Sequence, residues 1–150
     1  MTAVEIRQAR VGDLVSIMGL ESVFARGWSH QAWADEIEGH CVFITGEPVV
    51  GVAAFSVVVE VAEVRRIIVA EASRRSGLSR ALMAHGLAAA VARGAREAFL
   101  EVSVNNHAAI ALYRALGFQD LNRRVDYYGS GEDALVMGCS LVGFGKESRW

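Results

Sequence analysis

The feature that most constrains this chain is residues 64–86, VRRIIVAEASRRSGLSRALMAHG, which read as a strand, a short loop and a helix. Residues 65–69 are rich in β-branched side chains, while Leu78, Leu82, Met83, Leu87 and Val91 recur at helical spacing. The joint between them, Arg74, Arg75, Ser76, Gly77, Leu78 and Ser79, puts small residues where a helix begins. The first N–H groups of a helix have no partner within it, so here they can point at an anion. A bulky side chain at Gly77 or Ser79 would hold phosphates away, and Arg74, Arg75 and Arg80 add positive charge, so the loop suits a pyrophosphate. Similar turns also open ordinary helices with solvated arginines, so this stretch alone leaves both readings open.

A second stretch, residues 100–118, LEVSVNNHAAIALYRALGF, shifts the balance. Residues 74–79 resemble motif A of the GNAT superfamily of N-acetyltransferases, which runs Arg or Gln, two residues, Gly, one residue, then Gly or Ala. Arg74 and Gly77 match, with the small Ser79 in the last place. The superfamily commonly carries an Asn after the next core strand and a helix ending in Leu-Tyr, three residues, Gly-Phe; Asn106, Leu112, Tyr113, Gly117 and Phe118 match this. Leu100, Glu101 and Val102, together with Tyr127, Tyr128, Glu132, Asp133 and Ala134, resemble the RimI type, which acetylates N-terminal amines of proteins. The named substrate of that type is the N-terminal alanine of the eighteenth small-subunit ribosomal protein.

The resemblance spans nearly the whole chain in unbroken order. It implies an α/β (α+β) GNAT acyl-CoA N-acyltransferase fold, with a mixed, mostly antiparallel sheet and a central βαβ core flanked by helices. It also implies acetyl-CoA as co-substrate, no metal, and a protein N-terminus as partner. The cofactor site so implied comprises Arg74, Arg75, Ser76, Gly77, Leu78, Ser79 and Arg80 around the pyrophosphate, with Asn106 as a further cofactor-binding residue. Ile67, Ile68 and Val69 would pair their backbone with the pantetheine arm as an added strand does.

The residue chemistry supports the same roles. An α-amino group with pKa ~7.7–8.0 is roughly a quarter neutral near pH ~7.5, whereas a lysine at ~10.4 is neutral only at the ~0.1% level, so a modest base serves the former. Glu101, on a core strand beside the crossover, can take that proton directly or through water, or else be a rim carboxylate. Tyr113 can protonate a leaving thiolate, since a phenol of pKa ~10 keeps its proton near neutrality. Its spacing with Ile110 and Gly117 equally suits a packed core tyrosine. Asn106 can cap its helix, bind the cofactor, or do both.

Composition sets the frame for these sites. A chain of 150 residues, 53% hydrophobic, suits one domain over residues 1–142, and such a length buries about 68–70% of its unfolded surface. Residues 143–150 read as a patternless, disordered tail. Cys41 and Cys139 stand far apart in apolar runs, which suits buried thiols and a cytoplasmic location. Charged residues crowd the N-terminus, where a secretory core would be apolar, and no apolar run reaches the ~18 residues of a spanning helix, so no membrane is expected. Fourteen of fifteen basic residues are arginine, yet they are interspersed with acids to a net charge of −2, so no nucleic-acid footprint emerges. A monomer or weak dimer is expected.

In order, residues 4–9 suit a strand, Asp13 a cap for a helix running to Phe24, and Ser29 a cap for a helix stopping at Gly39. Trp28 is an apolar staple onto that helix or a substrate-facing ring. Residues 41–45 and 49–59 form a hairpin about Gly46, Glu47 and Pro48, and residues 60–69 a third strand. A parallel strand at 98–102, a helix at 106–116 ending at Gly117, and strands at 119–127 and 134–141 follow. The four histidines show no metal-ligand spacing. Gly129, Gly131 and Ala134 mimic a dinucleotide fingerprint but read as a hairpin turn, because Glu132 and Asp133 would repel a phosphate.

Two departures from the RimI pattern bear on the acceptor. Gly27 precedes Trp28 where a proline is expected, and only Gly129, Ser130 and Gly131 separate Tyr128 from Glu132. Other protein N-termini, lysine and small-molecule amines stay open as acceptors, as does a non-catalytic acetyl-CoA-binding module, against which the presence of both Glu101 and Tyr113 argues.

Overall fold

The chain starts with a short strand, β1 (Ile6–Gln8), a 3-10 turn at Val11–Asp13, and helices α1 (Leu14–Glu21) and α2 (His30–Glu38). Three strands follow, β2 (Val42–Thr45), β3 (Gly51–Val58) and β4 (Val61–Val69), then a 3-10 turn at Glu71–Ser73 and helix α3 (Leu78–Ala92). Strand β5 (Glu97–Ser103), helix α4 (His107–Ala115) and strands β6 (Gln119–Arg124) and β7 (Ala134–Ser140) complete it. The computed structural model describes residues 4–22 and 27–145.

The seven strands make one sheet in the order β1-β2-β3-β4-β5-β7-β6, the mixed, mostly antiparallel sheet that the resemblance implies. Every pairing is antiparallel except β4 with β5, which α3 joins as a crossover. Helices α3 and α4 cover one face, over a core that includes Val64, Leu82, Met83, Leu87, Leu100, Val102 and Ile110. Helices α1 and α2 cover the other face through Leu14, Ile17, Trp33, Ile37, Val52 and Ile68. Close contact needs a glycine at one point: a Cβ on Gly86 would lie 1.9 Å from the Phe55 ring, so α3 can approach β3 only there without a side chain.

The position of the site follows from a strand irregularity. Ala54 pairs with Arg66 and Phe55 with Val64, so Arg65 is an extra residue in β4. Such a bulge bends the strand and increases its twist. The parallel ladder accordingly stops at Val64 and Leu100, although β4 continues to Val69 and β5 to Ser103. Beyond that point the two strands keep their outer partners, β3 and β7, and form no ladder with each other. The result is a splayed cleft through the sheet, open towards both helical layers.

Local signals read from the sequence account for several elements. Ser29 accepts from the Ala32 N–H at 3.1 Å, capping α2, and Trp28 packs on Trp33 with ring centroids 4.8 Å apart, as a staple does. Gly117 ends α4 at φ +98°. Two readings need correction. Asp13 does not cap α1 with its side chain: its carboxylate accepts from the Arg10 N–H at 2.8 Å and pairs with Arg7 at 2.8 Å, closing the 3-10 turn instead. The strand expected to reach residue 127 stops at Arg124, because Asp133 takes the Asp126 N–H at 2.9 Å and Asp126 turns to φ +54°. Phe24 and residues 146–150 lie outside the described residues, while Phe144 packs against the larger core.

Candidate active site

On the α3 face of the cleft the site is built mainly from backbone. Gly77 stands at φ +82°, a left-handed conformation that glycine adopts without cost, and Arg75 at φ +65°. Together they turn the chain from Ser73 into α3. Arg74 Nε donates to the Val69 carbonyl at 3.1 Å and the Ser76 hydroxyl donates to the Ser73 carbonyl, tying the loop to the end of β4. No side chain caps α3, so its first N–H groups face outward over the loop. A cavity of about 270 Å³ lies there, walled by Val69, Ser73, Arg74, Arg75, Gly77, Leu78, Ser79 and Arg80, with Ala108 and Leu112 of α4 opposite.

The remaining residues expected at this end divide. Val69 lines the cavity and Ile67 packs half-buried on the same face, whereas the Ile68 side chain is buried in the core under α1 and α2. Ile68 can therefore serve the cleft only through its backbone. Asn106 Oδ1 accepts from the Ala109 N–H at 3.2 Å and so caps α4. Tyr113, next to the cavity-lining Leu112, packs against the Phe118 ring at 6.0 Å between centroids. Burial pushes its phenol up to about 12, so it holds its proton.

Across the sheet the site is made of side chains. Leu100 and Val102 enter the α3 core, so Glu101 between them projects to the α1/α2 face. Arg124 Nη1 donates to Glu101 Oε1 at 2.8 Å, and the nearby Glu101 carboxylate is the leading influence raising the Tyr127 phenol, ahead of burial. The Arg124 guanidinium lies 4.3 Å from the Tyr127 ring centroid. Tyr128 is pushed up to about 12, first by burial, then by Glu101 and Tyr127, with smaller influences from Arg66 and Tyr113. Tyr128 is thus within electrostatic reach of Glu101, Arg66 and Tyr113.

Sequence reasoning singled out none of three charged residues that form ion pairs on this side: Glu21, Arg66 and Arg124. A signal existed for Glu21, which follows Leu14 and Ile17 on the apolar stripe of α1 and is 2% exposed. The two arginines carried none. Elsewhere, a cavity of about 600 Å³ on the uncovered face of β5, β6 and β7 holds none of the expected site residues. Among the described residues no group of three or more His, Cys, Asp or Glu is arranged to hold a metal, and no helix is long and apolar enough to cross a membrane.

Residues 14–118 match the sequence profile of the acetyltransferase (GNAT) family, and the chain belongs to that family. The ribosomal protein bS18-alanine N-acetyltransferase of Escherichia coli (strain K12) is 41% identical over 71 residues, 45% of this chain and 48% of the relative. The chain thus spans about half the length of that curated relative. A Bacillus subtilis (strain 168) relative is 28% identical over 147 residues, 93% of this chain and 97% of the relative. The crystal structure of the ribosomal-protein-S18-alanine N-acetyltransferase from Escherichia coli superposes with a TM-score of 0.83 at 31% identity, covering 92% of this chain and 94% of that one.

Proposed function

We propose that this protein transfers an acetyl group from acetyl-CoA to the α-amino group of a protein N-terminus, with the N-terminal alanine of the eighteenth small-subunit ribosomal protein as acceptor. The observation that carries this reading is the cleft itself, with a base on one face and a protonated phenol near the other. Acetyl-CoA supplies the activated acetyl group as a thioester. The residues fit it: the uncapped N-terminus of α3 and Gly77 at φ +82° suit the pyrophosphate, and the unladdered edge of β4 suits an amide-bearing arm.

In this reading Glu101 accepts the proton of the attacking amine, a new N–C bond forms as the C–S bond breaks, and Tyr113 gives its proton to the departing sulfur. Tyr113, raised to about 12, is an acid that neutral solvent does not deprotonate. The match to relatives named for bS18-alanine acetylation supports the acceptor class. The test is a panel of peptides differing in their first residue, with one N-terminally blocked peptide carrying lysine, assayed for thiol release from acetyl-CoA. The free alanine terminus should react best and the blocked peptide poorly. Best reaction with the lysine peptide or a small polyamine would overturn the acceptor, and no release with any amine would overturn the activity.

A further inference from the structure

Beyond the cleft, part of one sheet face stays bare. Among the described residues, the core under α1 and α2 draws on β2, β3 and β4 and on none of β5, β6 and β7. Along β5 the side chains alternate: Ala98, Leu100 and Val102 enter the core under α3, while Glu97, Phe99 and Glu101 face the bare side. The cavity of about 600 Å³ opens on that side, with Phe99 and Glu97 among its walls. It therefore continues the strand face that carries Glu101, with Phe99 ~7 Å and Glu97 ~13 Å further down the strand. Its floor is apolar for a structural reason. Leu121 is the extra residue of a bulge in β6, between Asp120 opposite Met137 and Asn122 opposite Val136. A Cβ on Gly138 would lie 2.8 Å from both Leu121 Cδ1 and Phe99 Cδ1, so the glycine lets these two side chains close over the β7 backbone.

Around that floor, Val61, Leu121 and Val142 are left 39%, 54% and 62% exposed. Apolar side chains gathered and exposed around one cavity mark a surface that something covers. Glu60 and Glu97 stand on its rim against the single guanidinium of Arg96, so the rim is acidic on balance. Arg124, the cation nearer the cleft, is already paired with Glu101. We infer that this face is a second subsite for the acceptor polypeptide, seating an apolar side chain on Phe99 and Leu121 and a basic one beside Glu97 and Glu60. The inference rests on the reading of Glu101 as the base of an acetyl-transfer centre, which fixes where the acceptor begins. An extended chain advances ~3.3 Å per residue, so one leaving Glu101 along β5 brings its third residue over Phe99 and its fifth to Glu97. Continuity with Glu101 on one strand face is what favours the acceptor over any other occupant. The subsite makes and breaks no bond; it adds binding remote from the reacting amine.

The test measures kcat/KM for peptides of equal length that all begin with alanine and differ only at their third and fifth residues. A peptide with Phe third and Arg fifth should exceed one with Ser and Arg by about tenfold, the scale on which an apolar pocket discriminates by size. It should exceed one with Phe and Glu by about fivefold, a preference that salt weakens. Leu121→Ser should remove the preference for Phe over Ser, and Glu97→Arg should reverse that for Arg over Glu. Both residues are exposed, so the variants keep the fold, which melting curves check. Their kcat/KM for a peptide with Ser and Glu should stay within about twofold of the unsubstituted value. Equal rates for all the peptides, or preferences that neither substitution moves, overturn the subsite and leave the activity standing. Self-association of the unsubstituted protein in sedimentation, lost in Leu121→Ser, gives this face to a second copy and likewise overturns it. Failure to acetylate any peptide overturns the activity and the subsite with it.

Discussion

The two faces of the cleft between β4 and β5 are made of different materials. On the α3 face, ten consecutive positions, 69–78, carry most of the geometry: the end of β4, a turn through Arg75 and Gly77, and a helix start without a side-chain cap. In the proposed reading, recognition there would depend on backbone N–H groups and need only that side chains stay small. On the α1/α2 face, Glu21, Trp28, Arg66, Glu101, Arg124 and Tyr127 come from elements spread over more than a hundred residues, joined by ion pairs and ring contacts. A backbone site tolerates few substitutions but accepts any ligand with the right anion. A side-chain site is tunable, so it is where relatives sharing one cofactor can differ in acceptor.

Substitutions on each face should fail in different ways. The largest effect expected is from Gly77→Asp, which sets a carboxylate against the anion: coenzyme A binding by isothermal titration should fall by about 10²-fold or more. Gly77→Ala should fall less, because its Cβ meets nothing within 4 Å and only the φ of +82° is strained. Unchanged affinity in Gly77→Asp would remove the loop from the site. Tyr113→Phe keeps the ring and loses the proton, so kcat should drop by about 10²-fold with cofactor affinity intact. The phenol lies near 12, raised above its ordinary value, so its proton is retained through the working range. No alkaline limb from Tyr113 should appear in kcat below pH ~10.

Glu101→Gln should cost less, about 10- to 10²-fold near pH ~7, because part of the α-amine population is already neutral. That loss should shrink towards pH ~9, and a pH-independent loss would mean that Glu101 orients the acceptor without taking its proton. The smallest effect belongs to Asn106→Ala. Removing the cap of α4 should lower stability by about 1 kcal/mol, read from denaturant unfolding. A fall in coenzyme A affinity beyond about threefold would assign the Asn106 amide to the cofactor as well as to the cap.

How much of this was legible follows the same division. Ser29, Trp28, Gly117 and the small residues of the 74–79 loop announced a cap, a staple, a stop and a left-handed turn into α3, because each acts within a turn or two of chain. Glu101 and Tyr113 were legible as residue types on a strand and a helix. Their disposition about the cleft was not, since it depends on β5 alternating its side chains across a sheet whose order puts β7 beside β5. The end of β6 at Arg124 was overrun because the bonds that stop it come from Asp133.

Short-range chemistry written in the chain thus determined the elements, the parallel crossover and the turn into α3, since hydrogen bonds over three or four residues and a left-handed glycine need no distant partner. Only the tertiary structure decided that the ladder ends at Val64 and Leu100, that Arg66 and not Arg65 reaches Glu21, and that Gly27 has no room for a side chain. Those outcomes hang on one extra residue in β4 and on which buried charge finds which partner, and a pairing across 45 positions leaves no local trace for a sequence pattern to carry.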